Sequence, residues 1–167
     1  MQKVHNQKGF TLVEVAIVLV IIGLLLGGVL KGQELIENSK VKSVTSDFEN
    51  ITAAYYAYRD RKGEYPTDDG SDTADPNFWI DLRTEGFITG APTNADGPTH
   101  ALDGVFTYDT DGTPFDKAIC ASNIEGSTAI NIDTKFDDGL GVSGDIQSSD
   151  SAAYVDDAEV IVVCKKL

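Results

Sequence analysis

No proline precedes Pro66 in this 167-residue chain, so nothing in the covalent backbone forces a break in its first third. Cysteine is limited to Cys120 and Cys164, and histidine to His5 and His100. The two cysteines form no Cys-x-x-Cys motif and have no histidine cluster nearby, which leaves out the common zinc and redox patterns; one structural disulfide is their simplest use. A phosphate-binding Gly-rich loop, a nucleophile elbow and a metalloprotease motif are all missing, so no enzymatic activity and no cofactor are expected. Basic residues are also scarce, 13 against 27 acids, for a net charge of −14. Nearly all of that acidity lies beyond residue 42. Such a surface repels phosphate backbones, and no direct nucleic-acid partner is expected. The length suits one globular domain with an added element.

The sequence does contain one long apolar run, Phe10 to Leu30. In helical form it covers roughly 30 Å, the hydrocarbon thickness of a bilayer. The preceding stretch carries Lys3 and Lys8 and no acid, so the positive-inside rule keeps that end cytoplasmic and sends the acidic part across the membrane. An ordinary secretory signal fits less well. The run is long for such a segment, and no small-x-small cleavage site separates it from the charged residues that follow.

Glu14 lies near the start of this run. A carboxylate in a bilayer costs on the order of a few kcal/mol, and no Lys, Arg or His occurs from Phe10 to Leu30 to offset it. Cleavage between Gly9 and Phe10 would create an α-amino group that is charged at neutral pH. That amine is a partner for Glu14, most usefully for the Glu14 of a neighbouring copy.

The segment Lys8-Gly9-Phe10-Thr11-Leu12-Val13-Glu14 resembles the prepilin peptidase motif of type IV pilins and type II secretion pseudopilins. The resemblance implies a leader of residues 1–9, cleavage after Gly9, N-methylation of Phe10 and a role for Glu14 in subunit registry. Methylation keeps the charge on the amine, so the proposed pair survives it. The implied partners are further copies of the chain in a helical homopolymer, the prepilin peptidase, an inner-membrane assembly platform and, before assembly, membrane lipid. The implied location is the inner membrane first, then an extracellular pilus, or the periplasm for a pseudopilin. The implied work is that of a pilus subunit in adhesion, motility or DNA uptake; a secretion piston is the alternative.

Beyond the apolar run the pattern stays helical. Val41, Val44, Phe48, Ile51, Tyr55 and Tyr58 recur at spacings of three and four and share one face. One helix from about Phe10 to about Arg61 is expected, with residues 10–30 as membrane span and filament core and 31–62 as its second part. Many family members have a proline just past the apolar segment, and this chain does not. Gly23 and the Gly27-Gly28 pair either supply the weak point or allow close helix packing.

Residues 63–167 read as a globular head of α+β class, a small and mostly antiparallel sheet packed on the long helix, as in pilins. Its expected elements are a short helix at Phe78 to Thr84 and strands at Gly104 to Tyr108 and Lys117 to Ala121, joined by a turn at Asp111-Gly112. A helix is favoured over a strand in 127–135, with a Ser cap, and a last strand is expected at Glu159 to Cys164. A Cys120–Cys164 bond would resemble the disulfide-bounded C-terminal region of type IV pilins. Major type II pseudopilins usually lack it, which ranks pilin above pseudopilin. Asp133, Asp137 and Asp138 gather near glycines as in a calcium loop, but without EF-hand spacing or its closing glutamate. Capped turns explain the same residues. Tyr55, Tyr56 and Tyr58 read as core packing.

Overall fold

The computed structural model describes residues 9–66, 77–155 and 160–167. The basic stretch with Lys3, His5 and Lys8 lies outside them, as does Glu159. Among the described residues the elements in chain order are α1 (Leu12–Lys62), α2 (Asn77–Thr84), β1 (Phe106–Asp109), β2 (Ala118–Glu125), α3 (Gly126–Phe136), β3 (Ile146–Ser148) and β4 (Val160–Lys166). The chain divides into two compact units, residues 1–38 and 39–167, so the boundary falls inside α1.

α1 runs unbroken because no residue in it removes a backbone donor, and it ends where Gly63 adopts φ +80. In the second unit its buried residues are Val41, Val44, Phe48, Ile51, Ala54, Tyr55 and Tyr58, the face anticipated from spacing plus Ala54. Phe48 is fully enclosed and meets the Phe106 and Phe136 rings edge-on at 5.0 and 6.4 Å. Tyr55 and Tyr58 belong to this core, whereas Tyr56 stays partly exposed.

The sheet has the order β1-β2-β4-β3, with every neighbouring pair antiparallel. β1 and β2 pair from Phe106↔Ala121 to Asp109↔Ala118, so the connection spans residues 110–117. Asp111-Gly112 is therefore one bend in a longer loop and not a tight hairpin turn. Asp109 Oδ1 accepts the Asp111 N–H, and Asp111 Oδ1 accepts the Thr113 N–H. These side chains give the backbone local acceptors that compete with a two-residue turn. α3 replaces the strand alternative, but its capping residue is Glu125, with no side-chain cap, and the expected Ser127 lies inside the helix.

Both edges of the sheet are covered, which blunts pairing with foreign strands. At β3, Asp137 Oδ2 accepts the Ile146 N–H at 3.0 Å and the Gly141 carbonyl accepts the Ser148 N–H at 2.9 Å. At β1, the Pro98 carbonyl accepts the Phe106 N–H at 2.9 Å, and Thr99 bridges Val105.

α2 buries Phe78, Trp79 and Leu82, with Phe78 stacked on Tyr108 at 4.0 Å. Arg83 is buried as well, and its guanidinium donates to the carbonyls of Thr89, Asn94 and Asp96 at 3.3, 2.5 and 2.8 Å. One cation thus organises the loop after α2, and Gly90, at φ +127, packs where a Cβ would meet Arg83 Nε at 2.7 Å.

Candidate functional site

Gly9, Phe10 and Thr11 precede the first helical residue, and Phe10 is 88% exposed. The Thr11 carbonyl accepts the Val15 N–H at 3.3 Å, so Thr11 occupies the helix N-cap and Glu14 lies three residues on. Glu14 Oε2 accepts the Thr11 N–H and the Thr11 hydroxyl, each at 2.8 Å, while Thr11 Oγ1 accepts the Glu14 N–H at 3.3 Å. This is a reciprocal capping box.

That geometry corrects the expectation that nothing within the segment compensates Glu14. Two donors of Thr11 do so, and the partial positive charge of the helix N-terminus favours the carboxylate further. The Thr-x-x-Glu signature was present in the sequence as Thr11 and Glu14, and reading Glu14 only for ionic partners overlooked it. Oε1 takes part in none of these bonds, so the acid keeps capacity for an ammonium.

Behind this cap, α1 holds an apolar window of mean hydropathy 2.8 with none of it buried. Leu12 to Leu30 contains exposed Leu, Ile and Val side chains, and the segment is long and apolar enough to cross a membrane by length and composition.

In the second unit, Cys120 and Cys164 are bonded. They are cross-strand partners in β2 and β4, both buried, and Phe115 and Val162 pack against them and Ala118.

Asp133, Asp137 and Asp138 converge, with one oxygen from each lying within 4.8 Å of the others. Most of their acceptor capacity faces backbone donors. Asp137 accepts the N–H groups of Asp138, Asp145 and Ile146. Asp138 accepts the Leu140 N–H and the Ser143 hydroxyl, and Asp133 Oδ1 accepts the Gly139 N–H at 3.0 Å. Asp133 Oδ2 and the Tyr154 hydroxyl are both buried, and the Asp133 carboxyl lies beside that hydroxyl and the Asp137 carboxylate.

Burial, then the adjacent Asp137 carboxylate, pushes the Asp133 pKa up to about 7. Burial also acts on Asp137, but bonds from Asp133 and from the Ile146, Asp138 and Asp145 N–H groups outweigh it and hold that acid below the usual range. A six- to eight-oxygen calcium shell needs several ionised carboxylates free to turn toward the ion. Here the Asp137 and Asp138 oxygens accept from the N–H groups of residues 138, 140, 145 and 146 and from the Ser143 hydroxyl, so in this structure they serve as turn-builders.

The N-terminal geometry meets a matching family description. Residues 4–30 match the prokaryotic N-terminal methylation motif. The chain carries a prepilin-type N-terminus. This methylation motif covers the cap, Glu14 and the whole apolar run. Among solved structures the chain is similar to the major type IV pilin PilA1 from Clostridium difficile, at 15% identity and a TM-score of 0.45, over 78% of this chain and 95% of that one. No curated protein matches it.

Proposed function

We propose that the chain is a type IV pilin: a structural, non-enzymatic subunit that waits in the inner membrane, is cut between Gly9 and Phe10, and polymerises through α1 into an extracellular filament. The observation that carries this reading is the methylation motif over residues 4–30, set on a helix whose N-terminus is capped by its own Glu14. The prepilin peptidase, the assembly platform and other copies of the chain are its partners.

The cap refines the assembly step. In the bilayer the Thr11 bonds satisfy part of the Glu14 charge, which lowers the cost of waiting as a monomer. Upon assembly Oε1 receives the methylated Phe10 amine of a neighbour, and burial among apolar helices strengthens that pair. The Cys120–Cys164 bond supports the pilin reading over a type II secretion pseudopilin.

Intact mass and N-terminal sequencing of the mature protein test processing: methylated Phe10 is expected, and any other first residue overturns the reading. Surface shearing of cells releases long filaments of a pilin and almost none of a periplasmic pseudopilin. Glu14→Ala is expected to leave monomer in the membrane with little filament; a normal filament yield rejects the pairing.

A further inference from the structure

His100 is enclosed in the turn that lies along the outer edge of β1, and its two ring nitrogens have different, fixed tasks. Nε2 lies 2.9 Å from the Ser122 carbonyl, which only accepts, so Nε2 bears the proton. Nδ1 accepts the Leu102 N–H at 3.3 Å. The ring therefore fits this site as the neutral Nε2–H tautomer.

The surrounding turn is closed on itself and built around the ring. The His100 N–H donates to the Gly104 carbonyl, and the Asp103 N–H donates to the His100 carbonyl, at 3.0 and 3.1 Å. Asp103 takes φ +60 to close it. A Cβ on Gly104 would lie 2.5 Å from His100 Nε2 and 2.1 Å from the Ser122 carbonyl, so the ring and the turn leave no slack. The Phe106 ring lies edge-on at 5.1 Å.

We propose that His100 is an acid-sensitive latch for residues 98–100, the segment that covers the β1 edge. A second proton on the ring must go on Nδ1, where it meets the Leu102 N–H, donor against donor. The Leu102 bond then breaks, and the bridge of Thr99 to Val105 and the Phe106-to-Pro98 bond lose their anchor.

The charged groups that act on the ring are Asp47, from α1, and Asp103, from the turn itself; both favour the imidazolium. Burial opposes them and is the stronger influence, so the ring resists protonation until below its ordinary range. Asn123 Nδ2 donates to the Leu102 carbonyl at 2.7 Å, Val105 N–H to Ser122 Oγ at 3.0 Å and Ser122 N–H to the Val105 carbonyl at 3.1 Å; these pH-independent tethers hold Leu102 and Val105 on β2 and limit opening to the stretch from Pro98 to His100. The latch belongs to the head of the chain alone and does not depend on filament assembly.

Hydrogen exchange on the full-length chain in detergent micelles tests it, with rates corrected for the intrinsic pH dependence. Between pH 7 and pH 5 protection of the Phe106 and His100 amides is expected to fall about tenfold or more, while Ile119 and Val163 hold. His100→Gln keeps a donor for Ser122 and cannot titrate, so its edge protection is expected to be flat with pH. Asp47→Asn is expected to move the wild-type transition to lower pH. Flat wild-type protection at Phe106 over this range overturns the latch, whether or not the variants fold, as does a fall of equal size at Ile119 and Val163.

Discussion

α1 is one helix with two kinds of surface. From Leu12 to Ile36 its large apolar side chains are all exposed, whereas from Val41 to Tyr58 one apolar face is buried. The second stretch meets its hydrophobic requirement within the chain, through Phe48, Ile51 and Tyr55 in the head core. Among the described residues the first stretch is exposed throughout, a surface that suits a bilayer or other copies of the chain. Difference in periodicity accompanies difference in partner. An apolar face with polar residues opposite folds onto a sheet, and a helix apolar all round needs an environment.

Paired truncations sharpen this contrast most. Phe48→Ala is expected to destabilise the head by about 3–5 kcal/mol, because a fully enclosed ring leaves a cavity. Leu25→Ala is expected to leave head unfolding within about 0.5 kcal/mol of wild type while lowering filament yield. Denaturant unfolding of the full chain in micelles, followed by near-ultraviolet circular dichroism, separates them; equal effects of the two substitutions break the comparison.

The paired substitution of Cys120 and Cys164 by Ser probes the head next. The bond closes a sequence separation of 44, and on the chain-entropy model its loss costs about 4 kcal/mol. β2 and β4 still share a register on both sides of the bond, so the sheet is expected to form and to melt at lower denaturant.

A pH effect should also belong to the head alone. Asp133 is expected to titrate near 7 when folded, against an ordinary Asp value near 4 when unfolded. Between those values the folded state holds the extra proton, so this group stabilises the head at acid pH and the contribution fades as pH rises toward 7. The slope is at most about 1.4 kcal/mol per pH unit. Asp133→Asn is expected to remove it; an unchanged slope between pH 5 and pH 8 would show that Asp133 is ionised throughout.

The smallest effect lies at the cap. Thr11→Val removes the hydroxyl that both donates to and accepts from Glu14, at a cost of about 1 kcal/mol to the helix end. Faster amide exchange at Val13 and Glu14, with no change in the head, is the expected readout.

Much of the fold is legible in the sequence. The buried face of α1 and the choice of helix at 127–135 came from helical spacing, the short helix around Phe78 from a few apolar anchors, and the last strand from an apolar run of strand length. β3 was not legible, because Ile146–Ser148 is a three-residue strand held by Asp137, Gly141 and β4 and by no pattern of its own. Arg83 gave no signal either. A charged residue in a short helix reads as a solvated group, and only the carbonyls of Thr89, Asn94 and Asp96 make its burial tolerable. At the candidate site the motif was readable in full, but the Thr11 bonds to Glu14 were missed.

The sequence by itself determined what depends on neighbours within a few residues: the continuous helix, its apolar run, its buried stripe and the Gly9-Phe10 to Glu14 motif. Tertiary structure decided what depends on distant segments arriving at one place. It set Cys120 opposite Cys164, drew Asp133 toward Asp137, tied down the loop around Arg83 and closed the turn on His100. Hydrophobic periodicity is written in local spacing, whereas strand register and the pairing of buried polar groups are settled only when the whole chain competes for the same core.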